Sequence, residues 1–217
     1  MGWPRHILTG GNVVFALWLF TGTPLRADAL LIQDRFGIAD QALRSALRGE
    51  AEWKRVLELY HHLDQIAQDP LASERARLGL AEAYIGQGDY VHAMAMLDRA
   101  YRANGRQRDW ILFRKGMVLM HRATESQSAA QARSIRNEAI ETYRRLADDY
   151  PESSRAPQAL FFVANNLLVH QLSKQRAARV YQELIDRYPN SREAELASQM
   201  LPRIARLTDA QLRELSP

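Results

Sequence analysis

The sequence predicts an all-α protein, a solenoid of about four helical hairpins with a closing helix. Three observations carry that expectation. Two stretches thirty-eight residues apart share their marker residues, small residues recur at helical spacing between Tyr and Leu, and Tyr-Pro pairs fall where a helix must stop. The chain has 217 residues, 47% hydrophobic and 25% charged, the composition of a folded chain with a core rather than of a disordered one. It contains no Cys, which removes disulfides, thiol nucleophiles, Cys-liganded zinc, iron–sulfur clusters and Cys-linked lipid from consideration within these residues.

Residues 1–29 read as a targeting segment. Arg5 and His6 precede an unbroken apolar run, Val13-Val14-Phe15-Ala16-Leu17-Trp18-Leu19-Phe20, too short for the ~20 residues of a membrane span. Thr21-Gly22-Thr23-Pro24 ends the run, and Ala27-Asp28-Ala29 places small residues where a signal peptidase reads, with Leu25-Arg26-Ala27 as a second cut. The expected product is a soluble periplasmic chain starting near Leu30, without an acylation Cys or a later stretch able to span a membrane. Residues 30–217 then form one repeat domain.

The repeats are the informative feature. Ala139, Tyr143, Leu146, Asp148, Tyr150-Pro151, Ser153 and Ala156 match Ala177, Tyr181, Leu184, Asp186, Tyr188-Pro189, Ser191 and Ala194. A third copy, Gly88-Asp89-Tyr90 followed by Ala93, Leu97 and Ala100, stops at Asn104-Gly105. Small residues let two antiparallel helices approach, Tyr and Leu fill the seam, and Pro ends each hairpin so that Ser153 or Ser191 can cap the next helix. Repeats are placed at about 74–105, 109–151 and 158–189, with a closing helix over 191–207 that should kink or break at Pro202. Thr208-Asp209 is expected to cap a last short turn. Upstream, Trp53, Val56, Tyr60 and Leu63 parallel Tyr90, Ala93, Leu97 and Ala100, so 31–68 reads as a degenerate first hairpin. Asn165 stands where the last repeat should carry a small residue, and Leu172 where its turn should carry Gly. Between Gly116 and Ala139 lie eleven residues more than the pattern expects, around 121–133, either a mobile loop or an extension of both helices.

These residues resemble the tetratricopeptide family. With the leader and the Tyr-Pro-x-Ser-x-x-Ala run, they resemble its bacterial envelope members over about residues 72–201. Two such members are the Tol-Pal-associated periplasmic factor and the outer-membrane β-barrel assembly lipoprotein. The resemblance implies a concave peptide groove lined by Leu78, Glu82, Ile85, Trp110, Phe113, Met117, Met120, Phe162, Asn166 and Val169, with Arg75 and Ala159 at equivalent positions. It also implies a protein partner in an envelope complex. Phe113 and Phe162 stand where chaperone-binding relatives carry the Lys of a carboxylate clamp.

Enzyme chemistry finds little support. Glu58-x-x-His61-His62 has no further ligand at metal spacing, and the two His lie about 100° apart on a helix. Gly86-Gln87-Gly88 lacks the Lys-Ser/Thr of a phosphate loop and reads as a turn. The expectation is therefore a scaffold with no cofactor or metal, binding no nucleic acid, although it can self-associate. The chain is mildly basic, net +4, and its charge concentrates between Arg99 and Arg136. There Arg99, Arg102, Arg106, Arg108, Arg114, Lys115, Arg122, Arg133 and Arg136 face only Asp109 and Glu125. That stretch supports the competing expectation, a binder of an anionic envelope polymer or lipid headgroup.

Overall fold

The computed structural model describes residues 24–103, 105–208 and 210–211, and among them it contains nine helices and no strand. In chain order these are α1 (Pro24–Leu47), α2 (Trp53–Ile66), α3 (Pro70–Gln87), α4 (Tyr90–Arg102), α5 (Arg108–Glu125), α6 (Ala129–Asp149), α7 (Ala156–Val169), α8 (Lys174–Arg187) and α9 (Arg192–Arg206). The fold is the all-α helical repeat that the sequence predicts. The apolar run Val13–Phe20 lies outside the described residues. Both expected cut sites, after Ala27 and after Ala29, fall inside α1, which begins at Pro24. No described helix is long and apolar enough to cross a membrane.

The chain divides into two compact units, one up to Ala83 and one from Tyr84. In the first, α2 buries Val56, Tyr60 and Leu63 at the spacing of one helix face. Tyr60 lies flat on the α3 backbone at Gly79, where an added Cβ would stand 2.1 Å from the ring. Its hydroxyl donates to Asp40 Oδ1 at 2.5 Å, and Arg75 donates to Asp40 Oδ2 at 2.7 Å while its guanidinium covers the Phe36 ring. One buried tyrosine thus ties all three helices of this unit together.

The second unit reuses that device with two variations. In the α5–α6 hairpin, Gly116 leaves room for the Tyr143 ring, 2.5 Å from where a Cβ would sit. In the α7–α8 hairpin, Asn165 replaces the small residue, and the fully buried Tyr181 donates its hydroxyl to Asn165 Oδ1. The departure at Asn165 therefore converts a close approach into a hydrogen bond. Repeat equivalence extends to the backbone: Tyr150 and Tyr188 close α6 and α8 with nearly the same φ and ψ (−132°, 59° and −134°, 55°). Each returns its N–H to the leucine four residues earlier. Between the hairpins, Glu183 accepts from Arg144 at 2.6 Å and Arg187 at 2.9 Å, and Arg187 also reaches Asp148.

Four local outcomes refine the sequence reading. The eleven extra residues extend both helices: α5 runs to Glu125, α6 starts at Ala129, and Ser128 caps α6 by accepting from Gln131 N–H. Leu119, Ala123, Ile135 and Ala139 carry the apolar seam into this extension, and that is why it is helical. Ser191 caps α9, but Ser153 does not cap α7; it lies in the preceding turn and donates to Asp109 Oδ2 at 2.6 Å. Pro202 does not break α9, which continues past it to Arg206. Thr208 and Gln211 exchange hydrogen bonds as a capping box, while Asp209 and residues 212–217 lie outside the described residues.

Candidate functional site

Helical spacing places Trp110, Phe113, Met117 and Met120 along one side of α5, and Phe162, Asn166 and Val169 along one side of α7. The structure brings the two sets together over Tyr143. Phe113 meets Tyr143 edge-on at 5.8 Å between ring centroids, Phe162 lies 5.3 Å from Tyr143, and Phe113 and Phe162 are 6.0 Å apart. Burial pushes the Tyr143 phenol well above its ordinary pKa. Tyr143 is a part of this face that helical spacing assigned only to the hairpin seam; its pairing with Gly116 was the available signal.

Trp110, Phe113, Met117, Met120, Phe162 and Val169 are half-buried. Phe113, Met117, Met120 and Phe162 pack against the second unit's core. Arg114 lies across this face, its guanidinium 5.6 Å over the Trp110 ring and its Nη1 3.7 Å from Met117 Sδ. Asn166 is only 6% exposed. Its amide Nδ2 donates to the Phe162 carbonyl at 2.9 Å, so that donor is spent within α7 rather than offered to a ligand. Its Oδ1 is buried and has no hydrogen-bond partner. A buried acceptor without a donor is unfavourable by ~1–3 kcal/mol, and that makes it the polar mark of the face.

The remaining groove candidates are less accessible or stand apart. Leu78, expected on a groove surface, is buried on α3. Glu82 and Ile85 are half-buried on α3. Arg75 is committed to Asp40 and the Phe36 ring, and Ala159 is fully buried.

The model of the YfiO family, described as an outer membrane lipoprotein, matches residues 41–173, more than half of the chain. The chain belongs to that family. A tetratricopeptide-repeat model also matches, over residues 168–191, which span the turn into α8 and α8 itself. No curated protein matches the sequence. The YfiO match starts upstream of residue 72, where the resemblance read from marker residues begins, and so takes in α2 and the end of α1.

In this YfiO-family chain several residues of the basic stretch are engaged within the fold. Arg108 lies over the Tyr101 ring at 5.0 Å, Lys115 pairs with Asp98 at 2.7 Å, and Arg114 covers Trp110. Arg102 donates to the Asp98 carbonyl, and Arg122 is half-buried beside Glu125 in a separate pocket. Arg99 and Arg106 are exposed. Elsewhere, His62 is bonded to Arg35 at 2.8 Å, and among the described residues no three His, Asp or Glu gather as a metal site would require.

Proposed function

We propose that this chain is a non-catalytic periplasmic scaffold of a cell-envelope maintenance or assembly complex, and that it binds a peptide segment of a protein partner across the α5–α7 aromatic face. The family description, an outer membrane lipoprotein, supports the envelope setting. The observation that carries the peptide reading is the Phe113–Tyr143–Phe162 ring cluster with Met117 beside it and the unpaired Asn166 Oδ1 below. Half-buried rings and methionines suit an adaptable apolar anchor, and an orphan acceptor suits a backbone N–H. A photoreactive residue in place of Trp110 should crosslink a defined protein in intact cells, while one at the exposed Glu195 of α9 should not. Equal crosslinking at both positions defeats the proposal. Release of the partner by high salt with Trp110→Ala inert would instead favour the Arg99–Arg136 stretch and an anionic polymer.

A further inference from the structure

The helical extension of α5 and α6 leaves a pocket on each flank of the hairpin end it creates. One lies against the α3–α4 turn and is lined by Asp89, Tyr90, Val91, Arg122, Glu125 and Gln131 among others, with a volume of about 580 Å³. Two carboxylates, Asp89 and Glu125, stand there against one guanidinium, Arg122. The other, about 600 Å³, lies between the first half of α6 and the α7–α8 turn, and its balance is reversed, two guanidinium groups against one carboxylate.

This second pocket is lined by Arg133, Asn137, Ile140 and Glu141 of α6 and by His170, Gln171, Leu172 and Arg176 around the turn. Its wall is built by a hydrogen-bonded relay. Arg176 Nη1 donates to Gln171 Oε1 at 2.7 Å, and Gln171 Nε2 donates to Asn137 Oδ1 at 2.7 Å, which locks the turn to α6 and fixes the Arg176 guanidinium. Arg133 is exposed and makes no ion pair among the described residues. Behind them, Arg136 has a buried Nε with no hydrogen-bond partner and acts electrostatically on His170. Two guanidinium groups, Arg133 and Arg176, therefore line the pocket against one carboxylate, Glu141, with Arg136 behind them. The apolar part is equally specific: Leu172, 38% exposed, is held outward in the left-handed conformation at φ 50°.

We propose that this pocket binds an acidic, extended peptide segment of a protein partner, its carboxylates meeting Arg133 and Arg176 and an apolar side chain meeting Leu172. The volume falls in the range of ligand-binding clefts. The Glu141 carboxylate can accept a peptide N–H, a donor that a phosphate group lacks. Bidentate guanidinium–carboxylate pairing supplies orientation as well as attraction. The site draws on α6 and the α7–α8 turn, so it does not depend on the α5–α7 aromatic face.

The test uses the full chain and a fluorescein-labelled hexapeptide of alternating Asp and Leu, followed by fluorescence anisotropy at low salt. The probe should bind measurably. Arg133→Gln with Arg176→Gln should weaken it at least ~5-fold, and Arg122→Gln in the opposite pocket should leave it unchanged. The same peptide with Asn for Asp should bind at least ~5-fold more weakly. A benzophenone-bearing copy should crosslink to residues 133–141 or 170–176, and unchanged melting of the double variant shows that it is folded. The proposal is overturned if no peptide binds, if the Asn peptide binds equally, if the double variant binds as well as the parent, or if crosslinks fall only on the aromatic face. Binding of phosphatidylglycerol vesicles without binding of the peptide would assign the pocket to a lipid surface instead.

Discussion

Gly116→Ala isolates the contact on which the α5–α6 hairpin depends. In a solvent-exposed helix this change stabilises by about 1 kcal/mol, because Ala loses less backbone freedom than Gly. Here the new Cβ would stand 2.5 Å from Tyr143 Cε1 and Cζ and 2.8 Å from Cδ1, about 1 Å inside ordinary van der Waals contact. The ring cannot retreat: Tyr143 is 1% exposed, with Phe113 and Phe162 packed on it. Overpacking of this kind costs about 1–3 kcal/mol, and a backbone shift between the helices brings it toward the upper end. The net expectation is a loss of about 2 kcal/mol, or a fall in melting temperature of roughly 4–8 °C for a chain of this size. Thermal unfolding followed by far-ultraviolet circular dichroism reads it. Gly37→Ala is the control, since nothing lies within 4 Å of its added Cβ, and it should be neutral or mildly stabilising. Adding Tyr143→Leu to Gly116→Ala should cost less than the sum of the two single changes. A Gly116→Ala protein that melts at or above the parent would refute the close-approach account of the hairpin.

The other stability predictions follow the same contacts. Tyr181→Phe strands Asn165 Oδ1 and should cost about 1–2 kcal/mol by thermal melting, with Asn165→Ala in that background recovering part of the loss. Leu172→Gly removes a left-handed φ that is unfavourable for a branched side chain by ~1–2 kcal/mol, partly offset by the entropy of Gly. Melting should therefore rise slightly, and a fall would show that the Leu172 side-chain contacts outweigh the strain. Glu183 titrates below its ordinary range: burial acts to raise it, but hydrogen bonds from Arg144 and Arg187 win. The folded state then binds fewer protons than the unfolded state, so this stabilisation is present above the usual carboxylate range and is lost as pH falls through the depressed value. Melting measured from pH 6 to pH 3 should fall less steeply in Glu183→Gln than in the parent.

The repeat architecture was readable because its marker residues act locally. Ala, Tyr, Leu and Pro at fixed spacing dictate close approach, seam filling and termination whatever the rest of the chain does, and Tyr150 and Tyr188 repeat one another down to their backbone angles. The extension of α5 and α6 was half readable. Ala123, Ala132 and Ile135 continue the seam periodicity, but their short apolar side chains give a weak signal amid Thr124, Ser126 and Ser128. Ser153 misled because a Ser after a proline suits a cap equally well one turn early, where it meets Asp109 instead. The charged pocket was not readable at all: its walls come from two separate segments, joined by side chains thirty-four residues apart (Asn137 and Gln171) whose meeting no periodicity reports. For the aromatic face, spacing assigned Trp110, Phe113 and Phe162 to matching helix sides, but not the closure of Phe162 over Tyr143 from the next hairpin.

That closure changes how the aromatic face must be tested, because its rings are not energetically alike. Phe162 contacts both Phe113 and Tyr143 and belongs to the partly buried layer packed on the second unit's core. Truncating a ring so enclosed removes its transfer free energy and leaves a void, so Phe162→Ala should cost about 3 kcal/mol and lower the melting temperature by roughly 6–12 °C. Trp110 lies at the edge, half-buried, with the Arg114 guanidinium over its ring. Trp110→Ala should therefore cost no more than about 1 kcal/mol, the scale of a cation–π contact and partial burial. Loss of partner crosslinking in Trp110→Ala then reports on binding, whereas the same loss in Phe162→Ala mixes binding with unfolding. Measured side by side by thermal melting, the two variants should differ by at least about 1.5 kcal/mol. If Phe162→Ala melts like the parent, the ring is surface rather than foundation, and the face is a free apolar patch after all. If Trp110→Ala instead melts as low as Phe162→Ala is expected to, the edge is core, and the peptide must be sought elsewhere on the chain.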